Sequence, residues 1–222
     1  MEKKYPLLLI LLGFALFSFG IIVGKYQIFP YQLIKTFNDS FKSSEKLSNQ
    51  KWIDTVRSFD YFNLKADVAF VGDSITYQGR WSEFFPFLKV VNRGIGSDST
   101  SDILLRIDSI LSTEPSKVFI MLGINDIHEN ISVPKIIENY ESIVNALLKS
   151  NIEVFIQSTI QCEKSVCGNL KVELVNELNK GLEQLASKNQ ANFIHLRDLS
   201  STRGIDPKYT SDGIHLTTEG YI

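Results

Sequence analysis

Histidine occurs only three times in the 222 residues and cysteine only twice, so chemistry that needs an imidazole or a thiol has few residues to draw on. Cys162 and Cys167 have no histidine near them in sequence, which makes a poor zinc site, and nothing implies a metal or an organic cofactor. No charge of one sign dominates. With 23 basic against 25 acidic residues the net charge is −2, which gives no footing for a nucleic-acid partner. Internal repeats and low-complexity tracts are missing too. Gly94-Ile-Gly-Ser-Asp-Ser99 starts like a dinucleotide fingerprint but lacks the third glycine, which argues against nucleotide binding. There is no Gly-x-Ser-x-Gly elbow, which argues against the α/β-hydrolase fold.

What the sequence does have begins at its N-terminus. Met1-Glu-Lys-Lys4 precedes an uncharged apolar run from Leu7 to Val23, which at about 1.5 Å per residue would cross most of a bilayer. The expectation is a single-pass anchor over residues 1–25, a transmembrane signal-anchor with Lys3 and Lys4 left inside and the remaining chain extracytoplasmic. A cleaved signal peptide ending at Ser18-Phe-Gly20 competes with it, although Ile21-Ile-Val23 continues the run past that cut. Residues 26–65 carry Leu33, Ile34, Phe37, Phe41, Leu47, Trp52, Ile53 and Val56 at roughly helical spacing and read as a juxtamembrane helical segment.

From Ala66 the pattern changes to apolar runs alternating with amphipathic stretches. Strands are expected at Val68–Val71, Val90–Asn92, Val118–Leu122, Val154–Ile156 and Phe193–Leu196. Helices are expected near Trp81–Phe85, Ser101–Leu111, Pro134–Leu148 and Leu170–Ala186. Such alternation implies βαβ units, right-handed crossovers and an α/β fold with a parallel sheet between two helical layers.

The stretch Asp67-Val-Ala-Phe-Val-Gly-Asp-Ser-Ile-Thr76 places Ser74 on the turn after the first strand, where parallel α/β sheets keep reactive groups. A serine hydroxyl needs a base. Asp212 and His215, three apart in Asp-Gly-Ile-His-Leu, can be brought side by side by a short turn. Between them lie Asn92-Arg-Gly-Ile-Gly-Ser-Asp98 and Gly123-Ile-Asn-Asp126, after the second and third apolar runs. These four blocks, in this order, resemble the SGNH hydrolases, or GDSL esterase/lipase family, from about Ala66 to the end.

The resemblance implies a three-layer α/β/α fold with a flavodoxin-like strand order 2-1-3-4-5, occupying residues 66–222, and a carboxylic ester hydrolase. Ser74 would be the nucleophile, His215 the general base and Asp212 its orienting carboxylate. The oxyanion would be held by the Ser74 backbone N–H, the Asn125 side chain and a third backbone N–H. The family usually supplies that last donor from a glycine, and the matching residue here is Ser97. If the loop needs φ above zero, Ser97 carries strain. The substrates implied are small-molecule, glycan or lipid esters, either O-acyl groups on cell-envelope carbohydrate or lysophospholipid-like lipids. A non-catalytic carbohydrate-binding or scaffolding domain is the alternative.

The other histidines read as structural: His195 as a packed, hydrogen-bonded core residue inside a strand, His128 as a loop residue. Cys162 and Cys167 read as a local disulfide in the loop after the fourth strand. Finally, the implied topology leaves one sheet face with only Trp81–Phe85 unless a helix follows the fifth strand. Thr217–Ile222 looks like the opening of one. The expectation is that the chain is truncated there, or that Tyr31–Phe62 folds over the bare face.

Overall fold

The structure, a computed structural model, describes residues 5–26, 45–62, 64–201 and 203–222. The chain divides into two compact units, residues 1–49 and 50–222. In the first, helix α1 covers Tyr5–Tyr26. Among the described residues no helix is long and apolar enough to cross a membrane. This corrects the expected transmembrane signal-anchor over residues 1–25, and with it the single-pass, extracytoplasmic assignment. The apolar positions Leu33, Ile34, Phe37 and Phe41 lie outside the described residues.

The second unit opens with helix α2 (Gln50–Phe62) and then builds a parallel sheet. Its strands are β1 (Val68–Gly72), β2 (Val90–Gly94), β3 (Lys117–Met121), β4 (Glu153–Gln157) and β5 (Asn192–Ile194). Their order is β2-β1-β3-β4-β5, all pairs parallel. β1 is buried at every position, as a central strand covered on both faces should be. Its side chains alternate between the two layers. Ala69 and Val71 join a core with Ile103, Ile110, Ile120, Ile136, Ile143 and Leu182. Phe70, pointing the other way, stacks on Trp81 at 4.0 Å and on Phe119 at 5.1 Å, and Phe119 stacks on Phe155 at 4.6 Å.

The first layer comes from α5 (Thr100–Leu105), α6 (Ile107–Leu111), α8 (Val133–Lys149) and α9 (Lys164–Lys188), the last interrupted at Gly168. In α8 the buried Ile136, Tyr140, Ile143, Val144 and Leu147 recur at helical spacing and form the stripe that packs on the sheet. The second layer holds the short α3 (Ser74–Gln78) and α4 (Trp81–Phe84), and Tyr221 of α10 (Thr218–Tyr221) meets Trp81 edge-on at 5.9 Å.

Helix α2 does not cover the aromatic face. Its Phe59 ring lies 4.4 Å from the Arg93 guanidinium, and Arg93 pairs with Val71 in the β1–β2 register, on the side of α5 and α6. This part of the expected fold-back segment therefore packs on the opposite face. The helix expected over Ser101–Leu111 is broken at Arg106 (φ −122°, ψ 20°), where a buried guanidinium turns to main-chain carbonyls.

Candidate active site

Ser74 opens α3 directly after β1. Asp73 caps the helix, its carboxylate accepting from the Ile75 N–H at 2.9 Å. Two glycines let the backbones meet here. A Cβ on Gly72 would lie 2.6 Å from the Met121 carbonyl oxygen, and one on Gly94 would lie 2.3 Å from the Tyr77 nitrogen. The Asn92 amide then ties the turn down, donating to the carbonyls of Thr76, Tyr77 and Gly79.

Ser74 Oγ lies 2.9 Å from His215 Nε2, and His215 Nδ1 lies 2.7 Å from Asp212 Oδ2. A carboxylate only accepts, so Nδ1 carries the ring proton and Nε2 presents its lone pair to the Ser74 hydroxyl. The second carboxylate oxygen of Asp212 accepts from the main-chain N–H of Ile214 and of His215. The hydrogen bond to His215, ahead of those from the main chain, holds Asp212 down at about 2. The loop is braced by the Thr210 hydroxyl, which donates to the His215 carbonyl and accepts from the Gly213 N–H. Gly213 itself sits at φ +85°, a conformation that favours glycine.

Asn125 lies on α7 (Ile124–His128), which leaves the end of β3 through Gly123 at φ +115°. Its Nδ2 donates to the Asp98 carbonyl at 2.9 Å, leaving the second amide hydrogen for another acceptor. Ser97, one residue before Asp98, adopts φ +62°, so the strained conformation anticipated for a serine in a glycine position is present. Ile95 N donates to the Gly72 carbonyl at 3.1 Å, which joins this loop to the turn before Ser74.

The remaining sequence assignments differ in part. β5 ends at Ile194, so His195 lies past the strand, exposed, with Nε2 3.1 Å from Glu183. It is hydrogen-bonded as expected but is not a core residue. His128 closes α7 rather than lying in a loop. Cys162 and Cys167 form a disulfide, and His128 Nε2 lies 3.5 Å from Cys167 Sγ, although 39 positions separate the two in sequence. Burial, with help from Lys171, pulls the His128 pKa down.

Sequence reasoning missed a buried polar layer beneath the site. Asp98 and Arg106, both fully buried, pair at 2.7 Å. Asp126 accepts from the Thr100 hydroxyl and main-chain N–H, and burial lifts its pKa to about 6. Asp73 is lifted further, to about 7, mainly by burial and then by Asp98 and Asp126, against the Ile75 N–H and His215. The available signal was a charged residue, Arg106, at helical spacing from Ile103 and Ile110.

The profile of a family described as GDSL-like Lipase/Acylhydrolase matches residues 70–221. A GDSL-like lipase from Bacteroides thetaiotaomicron VPI-5482 superposes with a TM-score of 0.63 at 27% identity, covering 69% of this chain and 81% of that one. An acetyl xylan esterase superposes with a TM-score of 0.62 at 23% identity, over 69% of this chain and 93% of its own, a likeness of fold. Among curated proteins, an N-acylneuraminate cytidylyltransferase of Streptococcus agalactiae serotype III (strain NEM316) is 24% identical over 160 residues. That alignment takes in 71% of this chain but only 37% of the relative.

Proposed function

The chain belongs to the GDSL-like Lipase/Acylhydrolase family, and from that premise we propose that residues 66–222 form a serine esterase that removes O-acyl groups from carbohydrate. The observation that carries the reading is the hydrogen-bonded chain Ser74–His215–Asp212, with contacts of 2.9 and 2.7 Å.

In this mechanism Ser74 Oγ attacks the ester carbonyl as His215 Nε2 takes its proton. Asp212 fixes the tautomer and stabilises the imidazolium. Negative charge moves onto the carbonyl oxygen, where the N–H groups of Ser74 and Ser97 and the Asn125 amide receive it. Collapse breaks the bond to the alcohol, which leaves with the proton from His215, and the acyl group stays on Ser74. Water, deprotonated by His215, attacks that acyl-enzyme. A second tetrahedral collapse releases the carboxylic acid and restores the serine.

A hydrophilic alcohol portion is favoured by a cleft beyond the ends of β4 and β5, at the same end of the sheet as Ser74. Its lining includes Ser158, Gln161, Asn176, Lys180, His195 and Arg197. One of the similar proteins is named an acetyl xylan esterase, after an acetylated polysaccharide, which agrees with the same class.

The test is a fluorophosphonate probe together with acetylated sugars and p-nitrophenyl acetate. The wild-type protein should be labelled and should release acetate, and Ser74→Ala should lose nearly all of both. Labelling that persists in Ser74→Ala would overturn the reading.

A further inference from the structure

We propose that Trp52, upstream of the family-matched residues, is a positioning residue for the oxyanion site and acts through Asp98 on Asn125. This rests on the esterase reading and on Asn125 as an oxyanion donor.

The inference starts from what α2 buries. Trp52 is its one buried residue, 6% exposed, and so it anchors the helix to the domain. An apolar anchor would need only the ring. This one also aims its indole N–H at Asp98, with Nε1 2.9 Å from Oδ1 across 46 positions of sequence. The other carboxylate oxygen takes the Arg106 Nε at 2.7 Å. Arg106 in turn donates to the Arg93 carbonyl at 2.8 Å and the Gly72 carbonyl at 3.4 Å. Asp98 is thus clamped between α2 and the loop ends that follow β1 and β2.

The same residue holds the donor. The Asp98 main-chain carbonyl accepts from Asn125 Nδ2 at 2.9 Å, so the rotamer of that amide follows the place of the Asp98 peptide. Directly before it stands Ser97, left-handed at φ +62°, a conformation that persists only where its surroundings over-determine it. An Asp98 carboxylate fixed from two sides supplies that constraint. Removing the indole N–H leaves the Arg106 pair in place but frees one side, and the Asn125 amide shifts. Donors of this kind act only when placed within a few tenths of an ångström of where charge develops, and small displacements are expensive.

Asp98 itself is a poor probe, because breaking a buried ion pair leaves an uncompensated buried charge and destabilises the fold it is meant to test. Trp52→Phe keeps an aromatic ring, deletes the donor and leaves a gap where the rest of the indole packed. In the full chain, Trp52→Phe should lower kcat roughly tenfold with KM within about twofold, and its thermal midpoint should fall by several degrees while the protein stays folded at the assay temperature. In an Asn125→Ala background the same substitution should change kcat less than about twofold, because the group it positions is gone. A full loss in both backgrounds, or no loss in either, overturns the proposal. A second readout is independent of turnover: the side-chain amide resonances of Asn125 should move in Trp52→Phe and stay in place in Arg57→Ala, a substitution at an exposed position of the same helix. If the wild-type protein hydrolyses no ester, the esterase reading fails, and unmoved Asn125 resonances in Trp52→Phe separately defeat the positioning role.

Discussion

Glu163 donates its main-chain N–H to the carbonyl of Gly213 at 2.7 Å. Gly213 is the residue between Asp212 and Ile214, so this bond joins the disulfide loop to the segment that carries the acid and the imidazole. Lys164 N donates in the same way to the Arg203 carbonyl at 2.8 Å. Opening the Cys162–Cys167 bond should therefore be felt at His215. A loop this short predicts a stability loss of about 2 kcal/mol for the Cys162→Ser/Cys167→Ser double variant. Its kcat should fall several-fold, and adding a reducing agent to the wild type should reproduce the fall. Urea unfolding and ester turnover measured side by side check both.

Asn125→Ala should lower kcat by roughly 10²-fold with a smaller change in KM, since the amide is needed once charge has moved onto the ester oxygen. Steady-state kinetics on p-nitrophenyl acetate decide it. A change confined to KM would make Asn125 a substrate-binding residue instead.

Asp73 predicts a pH dependence of stability. Burial raises its carboxyl from 3.8 to about 7 in the folded protein, so between those values the folded state holds a proton that the unfolded chain has released. Stability therefore falls as pH rises from about 4 to about 7. Asp126, raised to about 6, contributes with the same sign. Asp212, held at about 2, works the other way below pH 4, weakly because it is exposed. Asp73→Asn keeps an acceptor for the Ile75 N–H and removes the titration. Urea midpoints from about pH 4.5 to about 7.5 should fall less steeply in this variant than in the wild type.

Ser97→Gly should relieve a left-handed φ that costs an ordinary residue about 1–2 kcal/mol, against about 0.5–1 kcal/mol of added chain entropy in the unfolded state. The net expectation is a gain of up to about 1 kcal/mol, a rise of a few degrees in Tm. Turnover should be retained because the backbone N–H remains. Calorimetry and kinetics on the same sample test this, and a lowered Tm would show that the serine side chain does more than fill the turn.

The residues that read most clearly from sequence were those whose chemistry is written locally. Ser74 follows its own strand, Asp212 and His215 share one turn, and Gly123-Ile-Asn-Asp126 begins where β3 stops. The sheet order was legible through the same blocks. Pairings across the fold were not. Trp52 meets Asp98 through 46 positions and His128 meets Cys167 through 39, and no local pattern marks either. Arg106 shows why the Ser101–Leu111 helix was drawn too long, since helical periodicity carries no notice of a guanidinium that spends itself on strand carbonyls. The N-terminal apolar run shows the reverse failure, where hydropathy alone suggested a span that no described helix provides.

Tyr140 gives the sheet a way to come apart in an orderly fashion. Its hydroxyl accepts from the Leu122 N–H at 2.8 Å and donates to the Leu122 carbonyl at 3.2 Å, and the Thr159 hydroxyl takes that carbonyl's second lone pair. Burial lifts the Tyr140 pKa well above its ordinary value, so the phenol keeps its proton at any pH the protein meets. The last registered pair between β3 and β4 is Ile120–Ile156, and beyond it the phenol stands in for the departed strand. The two chains can diverge there without leaving main-chain groups hungry for water. Helix α7, which carries Asn125, begins two residues beyond Leu122, with a borrowed side chain sealing the fork behind it.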